Sequence, residues 1–203
     1  MPRYHAAMRF PRSPEREARQ LAQRAAGGDE GAWREIYTET RERLFGLLVY
    51  QIGDRDEALD LLQETYLSAV KGIDRYEGRG TLSAWLTGIA VRRALDWKRR
   101  VLVRMKRTVG FGDAGEMDFP VSDGDPEQRR ALQRELSSLS ARQRAAVLLH
   151  EWMGYSFQEI GKILGTSEST ARVHAHRGRE TLRTRLSGAG DETTSPAAQE
   201  ERS

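Results

Sequence analysis

Residues 155–185 read YSFQEIGKILGTSESTARVHAHRGRETLRTR, and this stretch decides how the C-terminal third folds. Ser156 followed by Glu159 is a capping box, so a helix starts there. Ile160, Ile163 and Leu164 form its apolar stripe, and Gly165 can take the left-handed conformation that a tight turn needs. Ser167 caps a second helix, whose inward positions are Ala171, Ala175, Gly178 and Leu182. Small residues there let the two helices approach closely. The pattern is a helix-turn-helix. Its outward face is Ser169, Arg172, Val173 and His176, with Arg177 and Arg179 beside it. An α-helix fits the major groove of duplex DNA, where Arg and His donate to base edges, while flanking arginines neutralise phosphates. The bland alternative is a helical hairpin with a solvated basic face. Five Arg against Glu180 in residues 171–185 favour the DNA reading.

Outward from this motif the pattern stays helical. Pro126 sits where a first helical turn begins, Leu132, Leu136 and Leu139 give one helix, and Ala145, Leu148 and Leu149 belong to another. Residues 110–125 hold four Gly, Pro120 and a run of acids, the composition of an extended linker. From Glu15 to Arg107 apolar residues again recur at helical steps, with breaks at Gly27–Gly28, at Gly53–Asp54 and over Asp74–Ser83. No stretch alternates as a strand. The expected fold is all-α: two small helical domains, 15–107 and 126–186, joined by an acidic flexible linker, 108–125. Residues 1–14 and 187–203 are expected to be disordered ends.

Charge and composition exclude several classes. The 203 residues contain no Cys, which rules out a disulfide scaffold and a thiolate zinc site. The longest apolar run, Ala145–Leu149, is far below the ~20 residues a bilayer span needs. The first ten residues lack a signal-peptide core, so a cytoplasmic protein is expected. The four His lie at spacings that build no ligand set, and no nucleophile–base pair or phosphate loop is present. Neither metal, cofactor nor enzymatic activity is expected. The net charge of +3 hides strong patterning: residues 29–77 hold twelve acids against six bases, and residues 92–107 hold eight bases against Asp96. Basic blocks on separate helices are the footprint of a polyanion.

Two N-terminal stretches carry this patterning. On Asp54–Lys71, Leu59, Leu62, Tyr66 and Val70 line one face, and Asp56, Asp60, Gln63 and Glu64 line another. A solvated face usually mixes signs to gain i,i+4 pairs; one that is acid plus an amide suits a basic protein partner. A plain surface helix remains the alternative. The next helix sets Trp85 and Trp97 among Arg92, Arg93, Lys98, Arg99 and Arg100, after a loop with Arg75, Tyr76 and Arg79. Aromatic rings among cations can hold unstacked bases. Trp85 also fits a core position, whereas Trp97, surrounded by charges, is expected to be exposed.

With these motifs in order, the chain resembles an extracytoplasmic-function (ECF) sigma factor, an alternative sigma factor of bacterial RNA polymerase. DEALDLLQETYL (56–67) resembles the helix that grips the β′ coiled coil of the polymerase. TLSAWLTGIA (81–90) and ALDW (94–97) resemble the helix that recognises and melts the −10 element. LSARQRAAVL (139–148) and the helix-turn-helix resemble the domain, σ4, that reads the −35 element. The resemblance implies polymerase contacts by Asp56, Asp60, Gln63 and Glu64. It implies −10 contacts by Arg75, Tyr76, Gly78, Arg79, Trp85, Arg92, Arg93, Trp97, Lys98, Arg99 and Arg100. It implies −35 contacts by Ser169, Thr170, Arg172, Val173, His176, Arg177 and Arg179. Implied partners are core polymerase (β′ coiled coil and β flap), promoter DNA and an anti-sigma factor, with a monomer in the holoenzyme. Leu82 is aliphatic where housekeeping relatives carry more aromatics, which implies fewer, stricter promoters. His174 stands where the family often has a basic residue. The competing expectation is a stand-alone helix-turn-helix regulator that binds a palindrome as a dimer.

Overall fold

Capping residues set most of the helix boundaries. The computed structural model describes residues 15–78, 80–107 and 126–191. The ends 1–14 and 192–203, the linker and Arg79 lie outside these. Among the described residues every regular element is helical. α1 is Glu15–Ala26 and α2 is Glu30–Ile52, the latter capped by the Asp29 carboxylate, which accepts from the Ala32 N–H at 3.1 Å. α3, Arg55–Gly72, begins on Asp54, which accepts from the Asp56 and Glu57 N–H groups. A 3-10 turn, Ile73–Arg75, and a short loop lead to α4, Leu82–Arg107.

The C-terminal half opens at Pro126 with α5, Pro126–Ser137. Ser140 and Gln143 form a capping box for α6, Ala141–Val147. α6 then widens into a π-helical stretch, Leu148–Trp152, closed by the Met153 N–H donating to the Leu148 carbonyl at 3.0 Å. α7, Phe157–Leu164, starts on the expected Ser156–Glu159 box and ends on Gly165 at φ 63°. α8 runs Glu168–Asp191, so residues 187–191 continue the helix rather than belonging to a disordered end. Extending a formed helix adds one hydrogen bond per residue without a new nucleus.

Two apolar clusters hold these elements. Ile36, Leu44, Leu48, Leu61, Leu86 and Ala90 form the first, entirely from the N-terminal half. The second joins Leu136, Leu139, Leu148, Leu149, Ile160 and Ala171 to Leu47 from α2 and Val91 from α4. Leu47 is 1% and Val91 0% exposed. Each such burial is worth about 2 kcal/mol against exposure to water. The two halves therefore share a core, which a reading of two domains on a linker does not anticipate.

The apolar stripe read on α3 is only partly the buried one. The helix buries Ala58, Leu61, Leu62, Thr65 and Ala69, while Leu59 and Val70 are exposed. Periodicity alone could not choose between overlapping stripes offset by one residue. The neighbours α2 and α4 chose the one with small residues, which admits closer packing.

Candidate nucleic-acid interface

The helix-turn-helix is built as its sequence implies. Ala171, Ala175 and Gly178 are buried against α6 and α7, and Ser169, Thr170, Arg172, Val173, His176, Arg177 and Arg179 are exposed. A Cβ at Gly178 would lie 2.6 Å from the Val147 side chain, so only glycine permits this approach. The Ser167 hydroxyl accepts from the Thr170 N–H at 3.1 Å and caps α8.

Two residues that sequence spacing did not single out hold Arg172. Its guanidinium lies over the Phe157 ring, 4.7 Å from the centroid, and donates to Glu168 at 2.8 Å. His150 stacks on the same ring at 4.2 Å. No periodicity links residues 150, 157 and 172, because the turn between helices brings them together. Arg179 is drawn to Glu151 at 3.3 Å. His174 is half-buried; burial, and then Arg142 and Arg177, push its pKa down. It therefore favours a neutral ring, unlike the basic residue the family often carries there.

On α3, Asp56, Asp60 and Gln63 are exposed, and Glu64 is half-exposed. Beside them Tyr37, Leu62, Tyr66, Leu67 and Val70 line a shallow cleft of about 330 Å³. Burial raises the Tyr66 hydroxyl to about 12, and its oxygen lies 2.7 Å from the Thr40 hydroxyl. Glu64 does not stand alone. Arg93 on α4 pairs with it at 3.0 Å and also donates to the Ser68 hydroxyl at 2.6 Å.

α4 presents Arg92, Arg99 and Arg100 to solvent, Arg99 paired with Asp96 at 3.1 Å. Trp97, expected to be exposed, is half-buried against the N-terminal core, and its indole N–H donates to Glu57 at 2.6 Å. A flanking run of charges misleads here because the indole N–H found a carboxylate partner on α3. Lys98 is half-buried as well, and burial, then the charge of Arg144, lowers its pKa to about 8.

The loop before α4 is shaped from inside. Tyr76 is 8% exposed, its hydroxyl donates to the Gly80 carbonyl at 2.7 Å, and its ring meets Trp85 at 5.8 Å. Tyr76 thus braces the loop instead of offering a free ring, and Trp85 is half-buried behind it. Arg75 is exposed. From α1, Arg19 donates to the Glu77 carbonyl, and its Nε occupies the space 2.9 Å from where a Gly78 Cβ would stand. Arg19 is a further loop-building residue that local sequence did not reveal. Among the described residues no three His, Asp or Glu side chains gather as a metal site. Nor is any described helix long and apolar enough to cross a membrane.

Comparison with known proteins meets this geometry from two sides. The family model for sigma-70 region 2 matches residues 36–101, and that for sigma-70 region 4 matches residues 129–182. The chain is 34% identical over 183 residues to the ECF RNA polymerase sigma factor SigE of Mycolicibacterium smegmatis, covering 85% of this chain and 69% of that one. It is 33% identical over 165 residues to the RNA polymerase sigma factor CarQ of Myxococcus xanthus, covering 79% of this chain and 92% of that one. The fold is similar to that of the sigma factor RpoE solved with the anti-sigma factor NepR from Bartonella quintana (TM-score 0.67, 23% identity, 76% of this chain and 96% of that one). The candidate residues on α3, α4 and α8 thus fall within the two matched regions, and the chain belongs to the sigma-70 family, among its ECF sigma factors.

Proposed function

We propose that this alternative sigma factor docks on core RNA polymerase through Asp56, Asp60, Gln63 and Glu64, and reads promoter DNA with two separate surfaces. In this reading Arg92, Arg99 and Arg100 on α4, with Arg93 and Lys98, hold the phosphates of the opened −10 strand. The loop of Arg75, Gly78 and Arg79, braced by Tyr76 and Trp85, receives an extruded base, whose unstacking costs a few kcal/mol. Trp97 acts by fixing α4 against α3. On the −35 duplex Arg172, Val173 and His176 face base edges, Ser169 and Thr170 enter at the helix N-terminus, and Arg177 and Arg179 meet phosphates. The units that work in this way are the region 15–107, the linker 108–125 and the region 126–186. The chain performs no covalent step itself and acts where polymerase acts, in the cytoplasm.

The observation that carries this reading is the division of α8: every proposed −35 residue is exposed while Ala171, Ala175 and Gly178 are buried. Polymerase aligns two weak DNA sites, so each gains from the effective concentration set by the other. A dimeric stand-alone regulator leaves the acid face of α3 without a task. An anti-sigma partner belongs to the same reading. Chains of this fold have been solved in complexes, RpoE with the anti-sigma factor NepR and CnrH with the cytosolic domain of CnrY. The cleft beside Gln63 fits an apolar helix face from such a partner. The test is initiation: the purified chain, core polymerase and candidate promoter templates should yield transcripts from defined starts. Asp60→Lys should abolish them while the fold persists. Transcripts unchanged in that variant would remove the docking assignment.

A further inference from the structure

We infer that Arg19 of α1 determines base specificity at the proposed −10 site: it clamps the middle of the loop before α4 in the shape that receives the extruded base. Arg19 acts through Glu77 and Gly78 and is therefore a positioning residue, not a DNA contact. The inference rests on the functional reading above and adds a residue that lies outside both matched segments.

The loop is costly to hold in one shape. Gly78 and Gly80 both take positive φ, 75° and 94°. Glycine enters that region freely, but ordering it costs more backbone entropy than ordering any other residue. The two ends of the loop are fixed from nearby. The Tyr76 hydroxyl donates to the Gly80 carbonyl at 2.7 Å, and the Thr81 hydroxyl accepts from the Ala84 N–H at 3.1 Å at the start of α4. The middle is held from α1, 58 residues away along the chain.

Arg19 makes that hold with its whole guanidinium. Nη2 donates to the Glu77 carbonyl, and the plane lies on Gly78: a Cβ there would stand 2.9 Å from Nε, 3.3 Å from Nη2 and 3.4 Å from Cζ. A planar fork can bond the carbonyl and cover the glycine at once, which the point charge of a lysine does not. Gly78 thus answers to two demands, its left-handed φ and the guanidinium laid across it. An alanine at 78 would have to push Arg19 off the loop.

The clamp stands on a firm base. Ala18 and Ala22, each 3% exposed, seat α1 in the N-terminal core, and the Trp33 indole N–H donates to the Ala25 carbonyl at 3.0 Å near the helix end. Arg19 itself is exposed beside this buried row, so its truncation leaves the core intact. A site supported by a packed helix is held more precisely than one left to its own loop. Selectivity follows from that precision. Extruding a base costs a few kcal/mol, and which base repays the cost depends on a receiving surface of fixed shape. A loop released at Glu77 and Gly78 discriminates less.

The test uses the full chain with core polymerase and templates that carry each of the four bases at each −10 position. The unaltered chain should prefer one base strongly at the extruded position. Arg19→Ala should lower that preference several-fold and leave −35 preference and polymerase affinity as they were. An undiminished preference would overturn the clamp, as would a loss of initiation spread equally over all positions. Should the unaltered chain initiate nowhere or show no −10 preference, the functional reading fails instead, and the free chain still decides on the clamp. There, tryptic cleavage after Arg75 and Arg79 reports opening of the loop. It should quicken several-fold in Arg19→Ala while the melting temperature moves by no more than a few degrees. Cleavage at the original rate would overturn the clamp. Gly78→Ala should quicken cleavage in the original chain and much less in Arg19→Ala, because its side chain displaces what that variant already lacks. Equal increments in the two backgrounds would overturn the proposal.

Discussion

Arg93 of α4 pairs with Glu64 of α3 at 3.0 Å, so a cation of the proposed DNA-facing row is tied to a carboxylate of the proposed polymerase-docking face. Both side chains are about two-fifths exposed, which places the pair among those worth ~0–1 kcal/mol. Glu64→Gln should therefore move the melting temperature by no more than a few degrees. It should weaken polymerase binding and leave Arg93 more available to DNA. Titration of core polymerase and of single-stranded −10 oligonucleotide against the same variant separates the two effects.

The stack of Arg172 on Phe157 yields a second expectation. Phe157→Ala leaves the guanidinium without its platform, although the Glu168 pair persists. Discrimination at the −35 position read by Arg172 should drop by ~1–3 kcal/mol, the worth of one well-formed base contact. Transcription from templates mutated at single −35 positions measures it. A uniform loss across all positions would mean that Phe157 supports the domain rather than the reader.

Arg19 reaches the proposed −10 loop from α1, outside the segment matched to region 2. Arg19→Ala removes the donor to the Glu77 carbonyl, and Arg19→Lys keeps a cation there without the planar fork. Both should relax base preference at the extruded −10 position and leave −35 preference unchanged. Selection of active promoters from a randomised −10 library reads this directly.

The packing of α4 against α6 should depend on pH through Lys98. Burial, and then the charge of Arg144, lower its pKa from the ordinary 10.5 to about 8 in the folded chain. Arg144 is itself depressed, to about 10, and stays charged through most of this window. Below about pH 8 Lys98 is charged in both the folded and the unfolded chain, and the folded form bears the whole penalty. As pH rises from about 8 towards 10.5 the unfolded form holds more protons, so the contribution of Lys98 to folding becomes more favourable. Lys98→Met should lack that gain, and the melting temperatures of the two proteins between pH 7.5 and pH 9.5 read the difference.

Much of this molecule was legible along the chain. Asp29, Asp54, Ser140 and Ser156 cap helices through backbone N–H groups two or three residues ahead, and such contacts are written in local spacing. The inward row Ala171, Ala175 and Gly178 was equally plain, because a helix that packs closely needs small residues at that period. Its complement on the outside follows from the same geometry. Trp97 and Tyr76 were not legible: their polar atoms are satisfied by Glu57 and by the Gly80 carbonyl, and burial followed from those partners.

The order of helices, the turn chemistry and the basic and acidic faces thus belong to the sequence alone, since each depends on residues within a turn or two of one another. Tertiary structure decided what no periodicity contains. It set Trp152 on Gly46, Arg144 beside Gln51, Phe157 beneath Arg172 and Arg19 over Gly78. Each pair is separated by at least fifteen residues, and only the packing of whole helices, driven by burial of Leu47, Val91 and their neighbours, brings its members into contact.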